Sequence, residues 1–275
     1  MKPTDGSASI SSATAVEVAA ACDAAMAAGR LIRDAIGGGF EVHRKGSADL
    51  VTEVDRAAEA TIRGILDAAC PGYGFLGEEA TGDRSGAARW IVDPLDGTTN
   101  FVAGYRTVAV SIALEREGTG LLGIVHDPFS GETFTAERGR GALRDGHPIH
   151  VSSTARVRDA LVLTGLAYDV RETEDDGLRE LRAIAKVARA IRVFGSAALD
   201  LCSVAAGRAD AYWEQGLKPW DVAAGALILE EAGGRVSDDT GGAAHVYGGR
   251  LLASNDRLHE ELRRLIGGAR ATPAG

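Results

Sequence analysis

The apolar residues of this chain change their spacing near residue 147, and that change restricts the folds that are possible. Before it, short apolar runs are separated by Gly, Asp and Pro, as in an antiparallel meander: YGFLGEE, RWIVD, TVAVSIALE, GLLGIVHDP and ETFTAERG. After HPIHVSS, the strand-like runs ALVLTGL, IRVFGS and ADAYWE alternate with helical segments. The sequence therefore predicts an α+β first half and an α/β second half, with helices packed against a sheet.

Helical spacing of apolar residues predicts the positions of the main helices. We expect helices at 14–36, 52–69, 177–190, 197–206, 220–232 and 256–266. The first of them stops at three consecutive glycines, which commonly terminate helices. For the domain organisation we expect an N-terminal half at 13–146, a C-terminal half at 147–266, and frayed tails at 1–12 and 267–275.

Composition favours a folded, acidic protein. The chain has 275 residues, of which 45% are hydrophobic, so it can bury a substantial core. Its 39 acidic and 30 basic residues give a net charge of -9 without a block of Lys or Arg, so we expect no nucleic acid as the primary partner. No stretch near the N-terminus has the apolar character of a signal peptide or membrane span, and we therefore expect a soluble protein.

The cysteines and histidines form no metal or disulfide pattern. Cys22, Cys70 and Cys202 are far apart and odd in number, which favours a reducing cytoplasm. The six histidines form no ligand pair, and we expect them at the surface or in loops.

The segment WIVDPLDGTTNF, residues 90–101, contains the most informative group of polar residues. A strand is expected to end at Asp93, with a turn at Pro94 and a short helix beginning after Gly97. Amide groups at such a helix start favour an anion such as phosphate, and carboxylates beside a phosphate require a hard cation such as Mg²⁺ or Mn²⁺ between them. An ordinary acidic turn explains DPLDG alone equally well. A Ca²⁺ loop of the EF-hand type fits poorly, because its twelfth position is Gly104.

Further acids follow apolar runs elsewhere, and each has a structural explanation of its own. Glu78 and Glu79 come after a predicted strand and point to opposite faces, so one of them could face a site. Asp55 has the spacing of a capping box with Thr52. Asp221 lies in the first turn of a helix, where its charge complements the helix dipole.

Taken together, these segments closely resemble the inositol monophosphatase family of Mg²⁺-dependent, lithium-sensitive phosphomonoesterases. The resemblance rests on KGSADLVTEVD, GEE, WIVDPLDGTTNF and WDVAAG followed by EAGG, in this order between residues 45 and 234. It implies a layered αβαβα sandwich of the sugar phosphatase type and a homodimer. It also implies a substrate that is a small phosphorylated polyol or sugar.

The resemblance also implies roles for the acidic residues at two or three Mg²⁺ ions, with Mn²⁺ as a possible substitute. The implied metal ligands are Glu78, Glu79, Asp93, the backbone carbonyl of Leu95, Asp96 and Asp221. Asp93 would bridge two ions, and Glu79 would lie near a third, weakly held one. Asp55 and Thr98 would orient the attacking water, so that Asp55, Glu78 and Thr98 form the catalytic set.

Substrate contacts are implied in both halves of the chain. The implied substrate-binding residues are Asp96, Gly97, Thr98, Thr99, Gly195, Ser196, Ala197, Glu214 and Asp221. The amides of Gly97, Thr98 and Thr99 would hold phosphate oxygens, and Glu214 would accept a hydrogen bond from a ring hydroxyl.

Several alternatives stay open on the sequence alone. Inositol 1-phosphate is the leading substrate, and relatives also hydrolyse fructose 1,6-bisphosphate, histidinol phosphate and 3'-phosphoadenosine 5'-phosphate. A phosphatase of the haloacid dehalogenase type is a second hypothesis, although its two acids lie two residues apart whereas Asp93 and Asp96 lie three apart. A third hypothesis is a metal-binding dimer with a regulatory and not a catalytic role.

Overall fold

The computed structural model describes residues 12–39, 41–44, 50–79, 86–168, 170–238, 240–242 and 246–271. Its helices are α1 (Ala15–Ala35), α2 (Glu53–Ala69), α3 (Thr98–Val102), α4 (Leu178–Ala185), α5 (Ala197–Ala205), α6 (Pro219–Glu231) and α7 (His259–Ala271), with a 3-10 turn at Val157–Asp159. Its strands are β1 (Val42–Arg44), β2 (Leu50–Thr52), β3 (Gly74–Gly77), β4 (Ala88–Asp96), β5 (Ala109–Arg116), β6 (Thr119–His126), β7 (Thr133–Glu137), β8 (Ala142–Arg144), β9 (His147–Pro148), β10 (Leu161–Thr164), β11 (Ala190–Arg192), β12 (Ala211–Gln215), β13 (Arg235–Ser237) and β14 (Arg250–Ser254).

Two sheets carry most of the described strands. The first has seven strands in sequence order from β3 to β9; β3 and β4 are parallel and the remaining pairs are antiparallel. The second has five strands in the order β11-β10-β12-β14-β13, with parallel pairing on both sides of β10 and antiparallel pairing on both sides of β14. The predicted meander and the predicted α/β half are therefore present, and the meander begins with a parallel pair.

Helices cover both sheets, so that the molecule is a layered α and β structure. Helices α1 and α2 pack on each other and on one face of the seven-stranded sheet. Helices α5 and α6 lie between the two sheets, and α4 and α7 cover the outer face of the five-stranded sheet. The order of layers is thus αβαβα, which agrees with the predicted sandwich.

The first two helices begin at capping boxes. Thr14 accepts a hydrogen bond from the Glu17 amide, and the Glu17 carboxylate accepts one from the Thr14 amide at 2.6 Å. The Glu17 side chain, only 1% exposed, also accepts hydrogen bonds from Tyr73 Oη and Arg116 Nη2, each at 2.6 Å. This carboxylate therefore joins α1 to the loop before β3 and to β5.

The ends of two helices differ from those expected. Helix α4 ends at Ala185, not Ala190, because residues 190–192 pair with β10 as strand β11. Ala and Arg are good helix formers, so side-chain propensity does not mark this end, and the sheet pairing decides it. Helix α7 continues past Ile266 to Ala271.

One histidine is not where we expected it. His259 is fully buried, its Nε2 lies 2.8 Å from Ser237 Oγ and its Nδ1 lies 2.9 Å from Ser254 Oγ. Burial lowers the pKa of His259 to about 4. The expectation of a surface or loop position was therefore wrong for this residue, which ties α7 to β13 and β14.

The domain limits stay a prediction. The predicted N-terminal tail falls outside the described residues except for Ser12, and the division at residue 146 is not itself tested by the two sheets. Within the described ranges, no helix has both the length and the apolar character needed to cross a membrane.

Candidate active site

Strand β4 carries two acids into the centre of the molecule. We expected the strand to end at Asp93, but it continues through Pro94 to Asp96, with an irregularity in its pairing to β5 between Asp93 and Asp96. A proline can lie within a strand where the ladder is interrupted, which explains the difference. Asp93 is 2% exposed and Asp96 is 8% exposed, so both carboxylates are largely removed from bulk water.

A tight turn follows β4 and starts helix α3. Gly97 has φ = 97°, the left-handed region that favours glycine. A Cβ atom at this position would lie only 2.9 Å from the Thr107 carbonyl oxygen and 3.0 Å from that of Gly195, so the turn has no space for a side chain. The predicted short helix is present, but the turn lies at Gly97 and not at Pro94 as expected, because Pro94 belongs to β4. Gly97, Thr98 and Thr99 all line the adjoining cavity.

Asp55 serves both as a helix cap and as a partner of Thr98. Its Oδ2 accepts a hydrogen bond from the Thr52 amide at 2.9 Å, which is the capping box expected from the sequence. Its Oδ1 lies 2.8 Å from Thr98 Oγ1, which is also 3.1 Å from the Leu95 carbonyl oxygen. A hydroxyl group has one proton, so Thr98 donates to one of these acceptors at a time and keeps its lone pairs available.

A cavity of about 280 Å³ lies between the two sheets at this point. The predicted residues that line it are Glu78, Asp93, Leu95, Asp96, Gly97, Thr98, Thr99, Gly195, Ser196, Ala197, Glu214 and Asp221. Glu78, which follows β3, thus meets residues of β4, α3, α5, β12 and α6 around one space, although Glu78 and Asp221 are 143 positions apart in the sequence.

Two predicted residues are not in the lining. Asp55 is fully buried behind Thr98 and reaches the cavity only through that hydroxyl. Glu79 is also absent from the described lining; its amide donates a hydrogen bond to Glu59 Oε2 at 2.9 Å. The predicted role of Glu79 at a weakly held ion therefore stays a prediction.

The acids in the cavity raise one another's pKa. Burial raises the pKa of Asp93 well above its ordinary value, and the carboxylates of Glu78, Asp96 and Asp221 raise it further. Burial also raises the pKa of Asp221, with additional contributions from Asp96, Glu78 and Glu214. Four acidic groups thus converge in a poorly solvated space, and a cation that stays with them would favour their charged forms.

Asp96 joins the two halves of the site. Its Oδ2 accepts hydrogen bonds from Ser196 Oγ at 2.6 Å and from the Ala198 amide at 2.8 Å, at the N-terminus of α5. Burial raises the pKa of Asp96 to about 6, and these hydrogen bonds oppose the effect. A helix N-terminus favours a negative charge, so α5 stabilises the carboxylate that β4 supplies.

The donor set fits hard cations in chemistry. Its side-chain oxygens come from carboxylates, which Mg²⁺ and Mn²⁺ prefer, with backbone oxygens nearby. In the part of the chain that the structure describes, no three His, Cys, Asp or Glu side chains already have an arrangement that could hold a metal ion. The acids are instead turned towards protein donors: Asp93 accepts from the Leu95 amide at 3.0 Å and Asp221 from the Lys218 amide at 2.7 Å.

Comparison with known proteins identifies the relationship. The profile of the inositol monophosphatase family matches residues 15–270 of this chain. The chain belongs to the inositol monophosphatase family. It is therefore a phosphoric monoester hydrolase of a metal-dependent family. This membership rules against the haloacid dehalogenase alternative.

Relatives of the family cover nearly all of this chain. An inositol-1-monophosphatase of Synechocystis is 42% identical over 256 residues, which are 92% of this chain and 88% of that protein. The Nus factor SuhB of Pseudomonas aeruginosa is 43% identical over 82% of this chain and 86% of that protein. The structure of the extragenic suppressor protein suhB of Bartonella henselae has a TM-score of 0.86 at 41% identity, covering 90% of this chain and 97% of that one.

Some residues in the wall of this cavity were not predicted from the sequence. The additional lining residues are Asn100, Gly165, Leu166, Ala167, Tyr168, Val193, Gln215, Gly216 and Leu217. Most follow the ends of β10, β11 and β12, and ligands in α/β sheets bind beyond the carboxyl ends of parallel strands. That rule could have indicated them, because all three strands were expected.

Asn100 has a clear structural reason for its place in the wall. Its Nδ2 donates to the carbonyl oxygens of Phe194, at 2.7 Å, and Thr107, at 2.9 Å. The side chain therefore fixes the loop before α5 to α3, which keeps the Asp96 turn and the Ser196 turn together.

Proposed function

We propose that this protein hydrolyses inositol 1-phosphate to inositol and inorganic phosphate with Mg²⁺. The observation that carries the proposal is the convergence of four carboxyl groups on a cavity that also contains the start of α3 and Glu214. The four acids call for cations and a phosphate, and Glu214 can accept a hydrogen bond from a substrate hydroxyl. The relatives named as inositol-1-monophosphatases support this substrate.

In this proposal Glu78, Asp93, Asp96, Asp221 and the Leu95 carbonyl hold the ions. When bound, Mg²⁺ supplies positive charge to the phosphate and makes a water molecule more acidic. The amides of α3's first turn hold phosphate oxygens.

Thr98 and Asp55 supply the path for a proton. Thr98 Oγ1 donates to Asp55 Oδ1 at 2.8 Å, so its lone pairs are directed elsewhere and can accept a proton from a water molecule. As the water oxygen attacks phosphorus, Thr98 takes the water proton and passes its own to Asp55. The departing inositol oxygen takes up a proton from solvent, which balances the reaction.

A panel of phosphate esters tests the proposal. Phosphate release is measured with Mg²⁺ on inositol 1-phosphate, fructose 1,6-bisphosphate, histidinol phosphate and 3'-phosphoadenosine 5'-phosphate. We expect the highest kcat/KM on inositol 1-phosphate, and Asp93→Asn should lower it at least about 100-fold. Exposed Glu261→Gln serves as the control with unchanged turnover. Full turnover by Asp93→Asn would disprove the metal assignment. A higher kcat/KM on another ester would identify that ester, and not inositol 1-phosphate, as the preferred substrate.

Further properties of the family extend the proposal. We propose inhibition by lithium, a homodimer and a cytoplasmic location, the last supported by the three unpaired cysteines. Lithium inhibition requires weakly held ions at the acidic cluster, and activity that is unchanged by lithium well above millimolar concentration would contradict it. Light scattering gives the oligomeric state.

The Nus factor relative favours a second, regulatory role beside catalysis. The set of acids is complete, so we propose that any such role is additional. A variant that no longer hydrolyses phosphate esters but still carries out the regulatory role in cells would separate the two roles.

A further inference from the structure

Strand β12 places Tyr212 and Glu214 side by side. The two residues are two positions apart, so their side chains lie on the same face of the sheet, the face that packs against α5. Trp213 points to the opposite face, among the residues of α4 and α7. Because β12 lies between β10 and β14, the fully buried Tyr212 ring is held on both sides.

The Tyr212 hydroxyl fixes one oxygen of the Glu214 carboxylate. Tyr212 Oη donates to Glu214 Oε2 at 2.6 Å. Among the residues that the structure describes, it is the one group that donates a hydrogen bond to this carboxylate. Glu214 Oε1 is thus left to accept a hydrogen bond from a ligand in the cavity that Glu214 lines.

Gly165 holds the same carboxylate from another side. A Cβ atom at position 165 would overlap both oxygens of the Glu214 carboxylate, so the carboxylate rests directly on the glycine backbone. Any side chain at this position would displace Glu214. The carboxylate is therefore confined between the Tyr212 hydroxyl and the start of the loop after β10.

The charges around Glu214 make a hydrogen-bond donor important. Burial raises the pKa of Glu214 to about 7, the Tyr212 hydroxyl lowers it, and Asp96 raises it further. The other ionisable groups that interact with this pair, Asp200 and Asp221, are also acids. The donated hydrogen bond is thus the interaction that favours the charged, accepting form of Glu214.

We propose that Tyr212 is a positioning residue for substrate recognition: its hydroxyl holds Glu214 Oε2 so that Oε1 accepts a hydrogen bond from a ring hydroxyl of a polyol phosphate. The inference rests on the proposed function, since it requires a substrate with ring hydroxyls. It predicts that loss of one buried hydroxyl lowers the preference for a polyol over a phosphate ester that lacks ring hydroxyls.

The test compares Tyr212→Phe with a matched control. Tyr73→Phe also removes a hydroxyl that donates to a glutamate at 2.6 Å, in this case Glu17, and neither residue is among those that line the cavity. The measured quantity is kcat/KM for inositol 1-phosphate divided by kcat/KM for phenyl phosphate, with Mg²⁺. Tyr212→Phe should lower this ratio about tenfold, mainly through KM for inositol 1-phosphate. Tyr73→Phe should leave the ratio unchanged.

A double substitution shows whether Tyr212 acts through Glu214. In a Glu214→Gln background the Tyr212→Phe change should lower the ratio no further, whereas independent effects would multiply. If Tyr212→Phe does not fold, Gly165→Ala displaces the same carboxylate and should also lower the ratio. An unchanged ratio in folded Tyr212→Phe, or in Gly165→Ala, overturns the inference. A wild-type protein that hydrolyses phenyl phosphate without preferring inositol 1-phosphate instead overturns the proposed substrate class, and the inference with it.

Discussion

The buried carboxyl group of Asp96 should destabilise the metal-free protein at neutral pH relative to mild acid, and Asp96→Asn should remove this contribution to the pH dependence. The pKa of Asp96 rises from 3.8 to about 6 in the folded chain. A raised pKa means that its contribution to stability is fully present below pH 3.8 and is lost as the pH rises through about 6. The difference between the pKa of Asp96 in the folded and in the unfolded chain corresponds to a loss of about 3 kcal/mol in the free energy of unfolding, at about 1.36 kcal/mol for each pKa unit.

Roughly half of this loss, about 1.4 kcal/mol, falls between pH 5 and pH 8, where the measurement is practical. Urea unfolding of the metal-free protein at both pH values gives the free energy of unfolding. The side-chain oxygen of asparagine can take the position of Oδ2 and accept the hydrogen bonds from both the Ser196 hydroxyl and the Ala198 amide, so the fold should persist. The stability of wild type should therefore decrease by about 1.4 kcal/mol more than that of Asp96→Asn between pH 5 and pH 8.

Mg²⁺ should stabilise wild type more than Asp96→Asn at pH 8. A ligand at 100 times its dissociation constant stabilises the state that binds it by about 2.7 kcal/mol. Wild type should gain this stability and Asp96→Asn should gain much less, whereas Glu261→Gln should follow wild type. Equal pH dependence in wild type and Asp96→Asn, or equal stabilisation by Mg²⁺, would refute the reasoning about this carboxylate.

Two further predictions concern catalysis and folding. Thr98→Ala removes the hydroxyl that donates to Asp55, so kcat should fall about 100-fold in steady-state assays while Thr98→Ser retains most of it; equal kcat values in both variants would contradict the proton path. Glu17→Gln removes the buried negative charge that accepts hydrogen bonds from Arg116 and Tyr73, so urea unfolding should show a loss of about 3 kcal/mol with unchanged KM. A loss below about 0.5 kcal/mol would show that the ion pair of Glu17 and Arg116 contributes no more to stability than an exposed ion pair does.

The residues of the acidic cluster could be predicted because their chemistry leaves local signs. Asp93 and Asp96 follow an apolar run, and Asp221 follows a proline at a helix start, so each is tied to an element that the sequence pattern indicates. The structure also shows that a structural role for an acid does not exclude a role in the site. Asp55 is indeed a helix cap, and the second oxygen of the same carboxylate meets Thr98.

The contacts that hold the other side of the site together could not be predicted from any local pattern, because they are tertiary contacts. Nothing local to Gly165 indicates that Glu214 will lie against it, since the contact forms only when β10 and β12 become neighbours. The end of α4 has the same cause, because the pairing of β11 with β10 overrides good helix formers. Where strand ends meet is a property of the sheet and not of any single segment.

The hydrogen bonds that Asp96 accepts from Ser196 and Ala198 have a consequence for how such a chain can be rearranged. The acid comes from a strand of the seven-stranded sheet, whereas its donors belong to the helix that packs between the sheets. A polypeptide cut in the connection between Pro148 and Val157 would have the acid on one fragment and its donors on the other. The two parts are therefore not interchangeable modules, and recombination between distant relatives would have to preserve the match between the β4 turn and the start of α5.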